Sequence, residues 1–331
     1  MPFYQCKKCK KTWAYLIKEC PFCFESLIKL ESNQMKVIAC SKINIPTLLH
    51  PKVPYFALVI EDENGNKYAY KSITEKKVGE EISFVPNNNA VAIWRNKYDF
   101  EEAIEKVIDL INGLPLNESS NILVLPTLIS PNHSYFRENT SPEFLDAILN
   151  VLLKKTKNIK IAGQSFNDNP IELSAQKSGL LDVCLKHDMT PIDLAKNNFV
   201  KQNKLEISEE AINSDIILNI PIMKINKASA TDNMFKIISK DNYSALKYLH
   251  SEELIINELS EIMLNKTITI AEADVVQGHD KFNRYLGLVL AGNNYLNVDK
   301  VFDEITMNKE GNNIPIVGRN IKEVQHNTEI L

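Results

Sequence analysis

Apolar and polar positions change their rhythm near residue 97. Before it they come in short runs: Met35-Lys-Val-Ile-Ala-Cys40, Tyr55-Phe-Ala-Leu-Val-Ile60, Lys67-Tyr-Ala-Tyr-Lys-Ser-Ile73, Glu81-Ile-Ser-Phe-Val85 and Ala90–Trp94. β-Prone runs bounded by turn residues predict strands. Asn64-Gly65, between the second and third runs, predicts a tight hairpin, since both residue types accept the positive φ such a turn needs. Strands this short and closely spaced predict a small β-barrel over residues 33–96.

Residues 99–112 switch to helical spacing. Phe100, Ile104, Val107, Ile108 and Ile111 form one stripe, acids crowd the first turn, and Gly113 ends it. With the polar stretch 116–120 this gives either a connector over 97–118 or the first layer of the next domain. From Asn121 onward apolar strands alternate with helices: strands at 122–125, 159–163, 216–221, 268–272 and 286–292, and helices at 143–154, 171–184 (interrupted near Gly179) and 298–305. That grammar predicts an α/β domain over 119–308 with a mostly parallel sheet covered on both faces. Residues 309–331 are polar, lack periodicity and read as a loose tail.

A length of 331 residues implies about two domains plus any small appendage. Hydrophobic content of 44% and charged content of 24% are those of an ordinary globular protein. A net charge of −4 argues against an extended nucleic-acid footprint. No apolar run is long enough to span a bilayer. Lys7, Lys8, Lys10 and Lys11 interrupt any amino-terminal signal-like run. The expected setting is the cytoplasm, where thiols stay reduced.

Chemistry is most explicit in residues 1–32. Cys6-Lys-Lys-Cys9 and Cys20-Pro-Phe-Cys23 are two Cys-x-x-Cys knuckles separated by ten residues. Each knuckle aims two thiolates at one tetrahedral ion, the pattern of a structural zinc ribbon. Two disulfides or four free thiols are the alternatives. With no histidine and no open coordination position, such a site serves folding and docking, not catalysis. Cys40 and Cys184 are left unpaired in the sequence and are expected as buried thiols in preference to a bridge between them.

The four cysteines, Thr12-Trp13-Ala14, Pro54-Tyr55-Phe-Ala-Leu-Val-Ile60 and Val78-Gly79-Glu-Glu-Ile-Ser-Phe84 resemble the acyl-CoA-associated family called domain of unknown function 35. The resemblance covers residues 3–96. It implies a rubredoxin-like zinc ribbon followed by an OB-fold barrel, and an accessory role beside a thiolase-like or ketosynthase-like acyltransferase. OB-folds also bind oligonucleotides, and Tyr55, Phe56, Tyr68 and Tyr70 could stack bases. At alternating strand positions such aromatics more often pack the sheet, and no net positive charge supports a nucleic-acid partner.

In open α/β sheets, ligands bind beyond the carboxyl ends of the strands. That rule selects Thr127, Ser130, Asn132 and His133 after the first strand, and Gln164, Ser165, Asn167 and Asp168 after the second. It selects Lys224, Asn226, Ser229, Thr231, Asp232 and Lys236 after the third, and Asp274, Gln277, Gly278, His279 and Asp280 after the fourth. Polar loops after strands are also the ordinary expectation. Lys224 and Lys236 are candidate contacts for a carboxylate or phosphate, against the commoner solvated lysine. His279 is a candidate general acid/base or an exposed loop histidine. Glu272 and Asp274, two apart on a strand, are expected on one face, where they would share a proton, bind a divalent cation, or line a solvated edge.

Ile220-Pro-Ile-Met-Lys224-Ile-Asn226, Thr231, Lys236, Asn139-Thr140-Ser-Pro142-Glu, Gly163-Gln-Ser165, Gly278-His279, Leu288–Gly292 and Val298-Asp299 resemble, in order, the uncharacterised family called domain of unknown function 362. The resemblance spans residues 121–305. Asn226 stands where that family has His, Lys236 is followed by Ile-Ile where it has Asn, and Leu125-Pro126-Thr127 replaces a Lys-Pro-Asn. Two functions follow as expectations. In the first, the chain is a zinc-binding accessory or scaffold of an acyl-thioester pathway that docks an acyltransferase. In the second, the α/β domain is an enzyme acting on an acidic small molecule through Lys224, Asn226, Thr231, Lys236, Ser165, His279, Asp274 and Glu272.

Overall fold

The computed structural model describes residues 2–32, 34–46, 53–72, 75–83, 89–97, 99–278, 280–307, 313–319, 321 and 324–325. The chain divides into two units, Met1–Pro86 and Asn87–Leu331.

In the first unit, β1 (Pro2–Cys6) pairs antiparallel with both β2 (Thr12–Trp13) and β3 (Leu27–Glu31). One cysteine knuckle follows β1 and the other precedes β3. A second antiparallel sheet contains β4 (Gln34–Ile43), β5 (Tyr55–Asp62), β6 (Lys67–Ser72) and β7 (Glu81–Ser83) in the order β6-β5-β4-β7. Met35 and Val37 alternate along β4, and Leu58 and Ile60 along β5, so one pleated face is buried. The expected hairpin forms: the Asp62 carboxylate accepts the N–H groups of Asn64 and Asn66 at 2.9 and 2.8 Å, and Gly65 takes φ 78°.

The second unit is built on one mixed sheet. Its strands begin with β8 (Val91–Arg95), β9 (Ile122–Pro126), β10 (Ile159–Gly163) and β11 (Ile192–Asp193). A separate hairpin follows, β12 (Phe199–Gln202) with β13 (Leu205–Ser208). The sheet resumes with β14 (Ile216–Ile220), β15 (Ile222–Lys224), β16 (Thr267–Gln277), β17 (Asn283–Gly292) and β18 (Ile316–Gly318). The order is β11-β10-β9-β14-β16-β17-β8-β18, with β15 also on β16. Pairs from β11 to β16 are parallel, and β17 runs against both β16 and β8.

Helices α1 (Phe100–Leu110), α2 (Pro142–Leu153), α3 (Ile171–Ser178) and α4 (Leu180–Lys186) cover one face. The other is covered by α5 (Glu209–Asn213), α6 (Ser229–Met234), α7 (Lys240–Leu249), α8 (Glu252–Met263) and α9 (Tyr295–Met307). Strand residues alternate between the two layers. Ile122, Val124 and Leu218 join the first, and Leu123, Leu125 and Ile217 join the second. Each such side chain removed from water contributes about 1.5–3 kcal/mol before chain entropy is set against it.

Three expectations change. The strand at 90–94 does not complete the first unit, because β8 pairs with β17 in the second. Val91, Ala92 and Ile93 are all fully buried, the mark of a strand covered on both faces and not of a half-solvated barrel strand. The helix at 99–112 is a core layer and not a connector. Ala103, Ile104 and Val107 of α1 are buried, and Phe100 meets Phe144 of α2 edge-on at 5.1 Å. The described part of the tail is also ordered. β18 pairs parallel with β8, where Val91 N–H donates to Pro315 O at 2.9 Å, and Ile321 and Val324 are buried. An edge strand offers unpaired backbone groups, and Ile316-Val-Gly satisfies them. Residues 309–312, 320, 322–323 and 326–331 of that expectation lie outside the described residues.

Among the described residues no helix is long and apolar enough to cross a membrane. From β9 the sheet extends to β10 and β11 on one side and to β14 and β16 on the other. The direction of winding therefore reverses between β9 and β14, which opens a crevice at their carboxyl ends.

Candidate functional site

In the first unit, the Sγ atoms of Cys6, Cys9, Cys20 and Cys23 all lie within 4.8 Å of one another. Sγ of Cys6 is 3.3 Å from that of Cys23, and Sγ of Cys9 is 3.5 Å from that of Cys20. The N–H groups of Lys8 and Cys9 each point at Cys6 Sγ from 3.4 Å. Burial opposes the Cys6 thiolate, but these donors outweigh it and bring the thiol down to about 6. Four sulfurs at this spacing, with amide donors behind them, fit a tetrahedral metal ion. They are not oxidised to disulfides.

In the second unit, the floor of the crevice is a pair of threonines. Thr127 follows β9; its hydroxyl accepts Ile222 N–H at 3.2 Å and its N–H donates to Thr140 Oγ1 at 2.9 Å. Thr140 in turn donates to Ile220 O at 2.8 Å, so the ends of β9 and β14 are laced together. The loop above them is folded around Asn139. Its side chain accepts from Ile129 N–H and donates to Ser130 O, at 2.9 and 2.8 Å. The loop thereby holds out Arg137 (φ 55°) and Glu138.

Lys224 ends β15 inside this crevice and is only 8% exposed. Its Nζ reaches one acceptor, the carbonyl oxygen of Glu138, at 3.5 Å. Burial, with Lys227 adding to it, brings the ammonium down to about 8, against the pull of Glu138 and Asp232. Lys236 follows α6 and is also brought to about 8 by burial, again opposed by Asp232. Its Nζ sits 3.6 Å above the Phe166 ring, and Phe166 stacks on Tyr243 at 4.9 Å. Among the described residues, Nζ of Lys236 makes no hydrogen bond. Asp232 bears on both lysines, and burial with Glu252 nearby keeps its carboxyl above the usual range.

Glu272 and Asp274 sit at the same end of the sheet. Glu272 is fully buried; it accepts Arg137 Nη1 at 3.1 Å and Ser141 N–H, at the start of α2, at 2.8 Å. Burial still pushes its carboxyl up to about 7. Asp274 accepts Asn96 Nδ2 at 3.0 Å and is likewise raised by burial. The register of β16 against β17 shifts between Ala273 and Val275. The extra residue lies on β17, where Gly287 takes φ 63°, so β16 keeps its alternation and Arg137 bears on both carboxyls. Their hydrogen-bond partners differ, but the two acids share the field of Arg137, and Asp274 helps to raise Glu272. Among the described residues the only cluster with metal-ligand geometry is the cysteine set, so the divalent-cation expectation for this pair gains nothing.

The remaining expected residues separate. Ser165 is buried after β10, where its hydroxyl accepts Asn167 N–H at 3.3 Å. Asn226 occupies a positive-φ turn, φ 59°, between β15 and α6. Thr231 is 2% exposed, and both its N–H and its hydroxyl are spent on Asp299. His279 lies outside the described residues. His133 is exposed and accepts Tyr135 N–H at 3.2 Å. A shallow hollow lined by Pro142, Glu143, Asp146, Asp182, Val183 and Lys186 contains none of the candidates, and its Asp146 is held by Lys186 and His187.

Sequence reasoning passed over Arg137 and Glu138, which stand 11 and 12 residues beyond the end of β9. The carbonyl of Glu138 meets Lys224, while Ser130 and Asn132 donate to its carboxylate at 2.5 and 2.7 Å. Those two donors hold the carboxyl below the usual range although burial opposes them. The signal available was position, since a long loop at a switch point can return charged residues over the strand ends.

Residues 122–302 match the family model described as Domain of unknown function (DUF362). No curated protein matches. Among solved structures, a chain described as Ltp2-ChsH2(DUF35) aldolase is 17% identical, with 25% of this chain and 70% of that chain covered and a TM-score of 0.23.

Proposed function

The chain belongs to the family described as Domain of unknown function (DUF362), and we propose that its α/β unit binds a small carboxylate- or phosphate-bearing molecule in the crevice beyond β9 and β14. The observation that carries this reading is a buried, under-satisfied lysine, with a second, half-buried one influenced by the same carboxylate, Asp232. Lys224 has a single 3.5 Å acceptor, and Lys236 rests on an aromatic ring. A buried ammonium is costly unless something completes its hydrogen bonds, and an anionic ligand does so.

The test is equilibrium binding of inorganic phosphate, citrate and lactate to the full chain and to Lys224→Met and Lys236→Met. Hydrogen bonds to charged groups contribute about 1.5–3 kcal/mol, so each substitution should weaken binding by about 10- to 100-fold. Equal affinity in all three proteins sinks the reading.

A second reading concerns the first unit. We infer that the four cysteines hold zinc and that the ribbon docks a partner, of the thiolase-like or ketosynthase-like class, in an acyl-thioester pathway. Tyr15, Leu16, Phe22 and Phe24 favour it, since these large side chains, gathered around the second knuckle, are 64–73% exposed. Clustered exposed apolar residues mark contact surfaces more often than solvated ones. Copurification of an acyltransferase with the intact chain, lost after substituting Phe22 and Phe24 by Ser, is the expected result. Retention of the partner by that variant removes the ribbon from the interface.

A further inference from the structure

The two lysines of the crevice are not equivalent, and the difference assigns them different work. Nζ of Lys236 lies 3.6 Å over the Phe166 ring, so its positive charge has a partner that needs no ligand. Lys224 has no ring. Its three N–H donors face one carbonyl oxygen at 3.5 Å, and no carboxylate oxygen among the described residues comes within ion-pair distance. Of the two, Lys224 gains most by giving up its proton, because a neutral amine is far cheaper to bury than an unpaired ammonium. Its ordinary value is brought down to about 8 by that burial. Phe166, leaning on Tyr243, gives the Lys236 ammonium a π face that Lys224 lacks.

Building on the anion site above, we propose that Lys224 is a nucleophile that forms an imine with a small carbonyl compound bearing a carboxylate, a 2-oxo acid, whose carboxylate Lys236 holds. A desolvated lysine amine is the usual agent of such covalent catalysis. The neutral Nζ adds to the carbonyl carbon, forming the C–N bond, and one of its protons passes to the carbonyl oxygen. A second proton, taken from water, converts that hydroxyl to water, and the C–O bond breaks as water departs. The products are an iminium on Lys224, one water and one hydroxide. No electrons are exchanged with a third party. The iminium takes over the position of a buried cation and draws electrons from the neighbouring carbon, the step that class of chemistry requires.

The full chain is incubated with pyruvate or glyoxylate and sodium cyanoborohydride, which reduces an iminium to a stable secondary amine. Intact mass and peptide mapping then locate the adduct. The expected result is one adduct, on Lys224, absent in Lys224→Arg and formed at least tenfold more slowly in Lys236→Met. Adducts spread over surface lysines at the same rate in all three proteins, or no adduct, overturn the proposal. Lactate binding to the same proteins separates the two readings, because lactate has no carbonyl to condense. Lactate bound without trapping of pyruvate or glyoxylate leaves the anion site standing and removes the imine. Neither bound nor trapped removes both.

Discussion

Asp299, reaching in from α9, takes both the N–H and the hydroxyl of Thr231 on a single carboxylate oxygen, at 2.8 and 2.7 Å. Its other oxygen accepts Ala230 N–H at 2.9 Å. The carboxylate is 6% exposed and burial pushes it up to about 7, with these three donors pulling the other way. The segment it grips joins Lys224 to Lys236. Lys224 N–H donates to Ser229 Oγ at one end, and Gln164 Nε2 donates to Lys236 O and Ile238 O at the other. Asp299 is therefore a positioning residue for both lysines.

Substituting Asp299 by Ala strands two amides and a hydroxyl in the core. Each unsatisfied buried donor costs about 1–3 kcal/mol, so a loss of about 3 kcal/mol or more in urea unfolding is expected. Asp299→Asn keeps an acceptor for part of the set. It should fold, lose about 1–2 kcal/mol, and bind phosphate or lactate more weakly than wild type. Unchanged anion affinity in Asp299→Asn would detach the clamp from the site.

Anion binding should fall as pH rises through about 8, the value to which burial brings both Lys224 and Lys236. The sign follows from the ligand: a carboxylate or phosphate needs the charged ammonium, and deprotonation removes it. A solvent-exposed lysine would hold its charge, and hence the ligand, to about pH 10. Titrating lactate affinity from pH 6.5 to 9.5 distinguishes these cases. In Lys236→Met the residual affinity should follow Lys224 alone and keep the same midpoint.

Much of this fold was legible from residue pattern because its determinants are local. Asn64-Gly65 set the β5–β6 hairpin, and Gly179 (φ 83°) divided α3 from α4 where the periodicity broke. The cysteine spacing announced its cluster. What pattern could not assign was pairing at long range. Val91-Ala-Ile-Trp94 and Ile316-Val-Gly318 are too short to carry their own address, and only the edge offered by β17 and then β8 decides where they go. The site was half legible for a related reason. Lys224 was found because it directly ends an apolar run, whereas Arg137 and Glu138 come back over the crevice from a loop folded around Asn139. Thr231 was marked as a ligand contact, yet its hydrogen-bonding capacity is already taken by Asp299, a partner 68 residues away.

Glu272 should make the protein less stable as pH rises from about 4.5 to 7. Its carboxyl is raised to about 7 from an ordinary 4.5, so over that window the folded state binds the proton more tightly than the unfolded chain. Its contribution is fully present below the unfolded value and is lost as pH climbs through the folded one. Asp299, raised in the same direction, adds to the slope. Glu272→Gln removes the titration. Comparing urea midpoints at pH 5 and pH 7.5, the fall seen in wild type should shrink in the variant. Glu272→Ala leaves Arg137 and Ser141 N–H unpaired and should cost about 3 kcal/mol at either pH.

Metal removal should unfold the ribbon and leave the anion site intact. Among the described residues 2–32, the buried apolar side chains are Phe3, Cys6 and Cys20, far too few to order three short strands. A structural zinc ion supplies about 10 kcal/mol or more to a domain of this kind, and without it the apo form is unfolded. The α/β unit draws on separate cores, with Phe144, Phe302, Leu123 and Leu125 among their fully buried members. Elemental analysis should find one zinc per chain, and none after Cys6→Ser with Cys20→Ser. In hydrogen exchange, that variant should lose protection over β1–β3 while residues 122–302 exchange as before. Its lactate affinity should stay within about twofold of wild type, since the two units bury their apolar side chains independently. Loss of protection spreading into β9 and β14 would mean instead that the metal knot supports the crevice, and the two functions proposed for this chain would then have to be read as one.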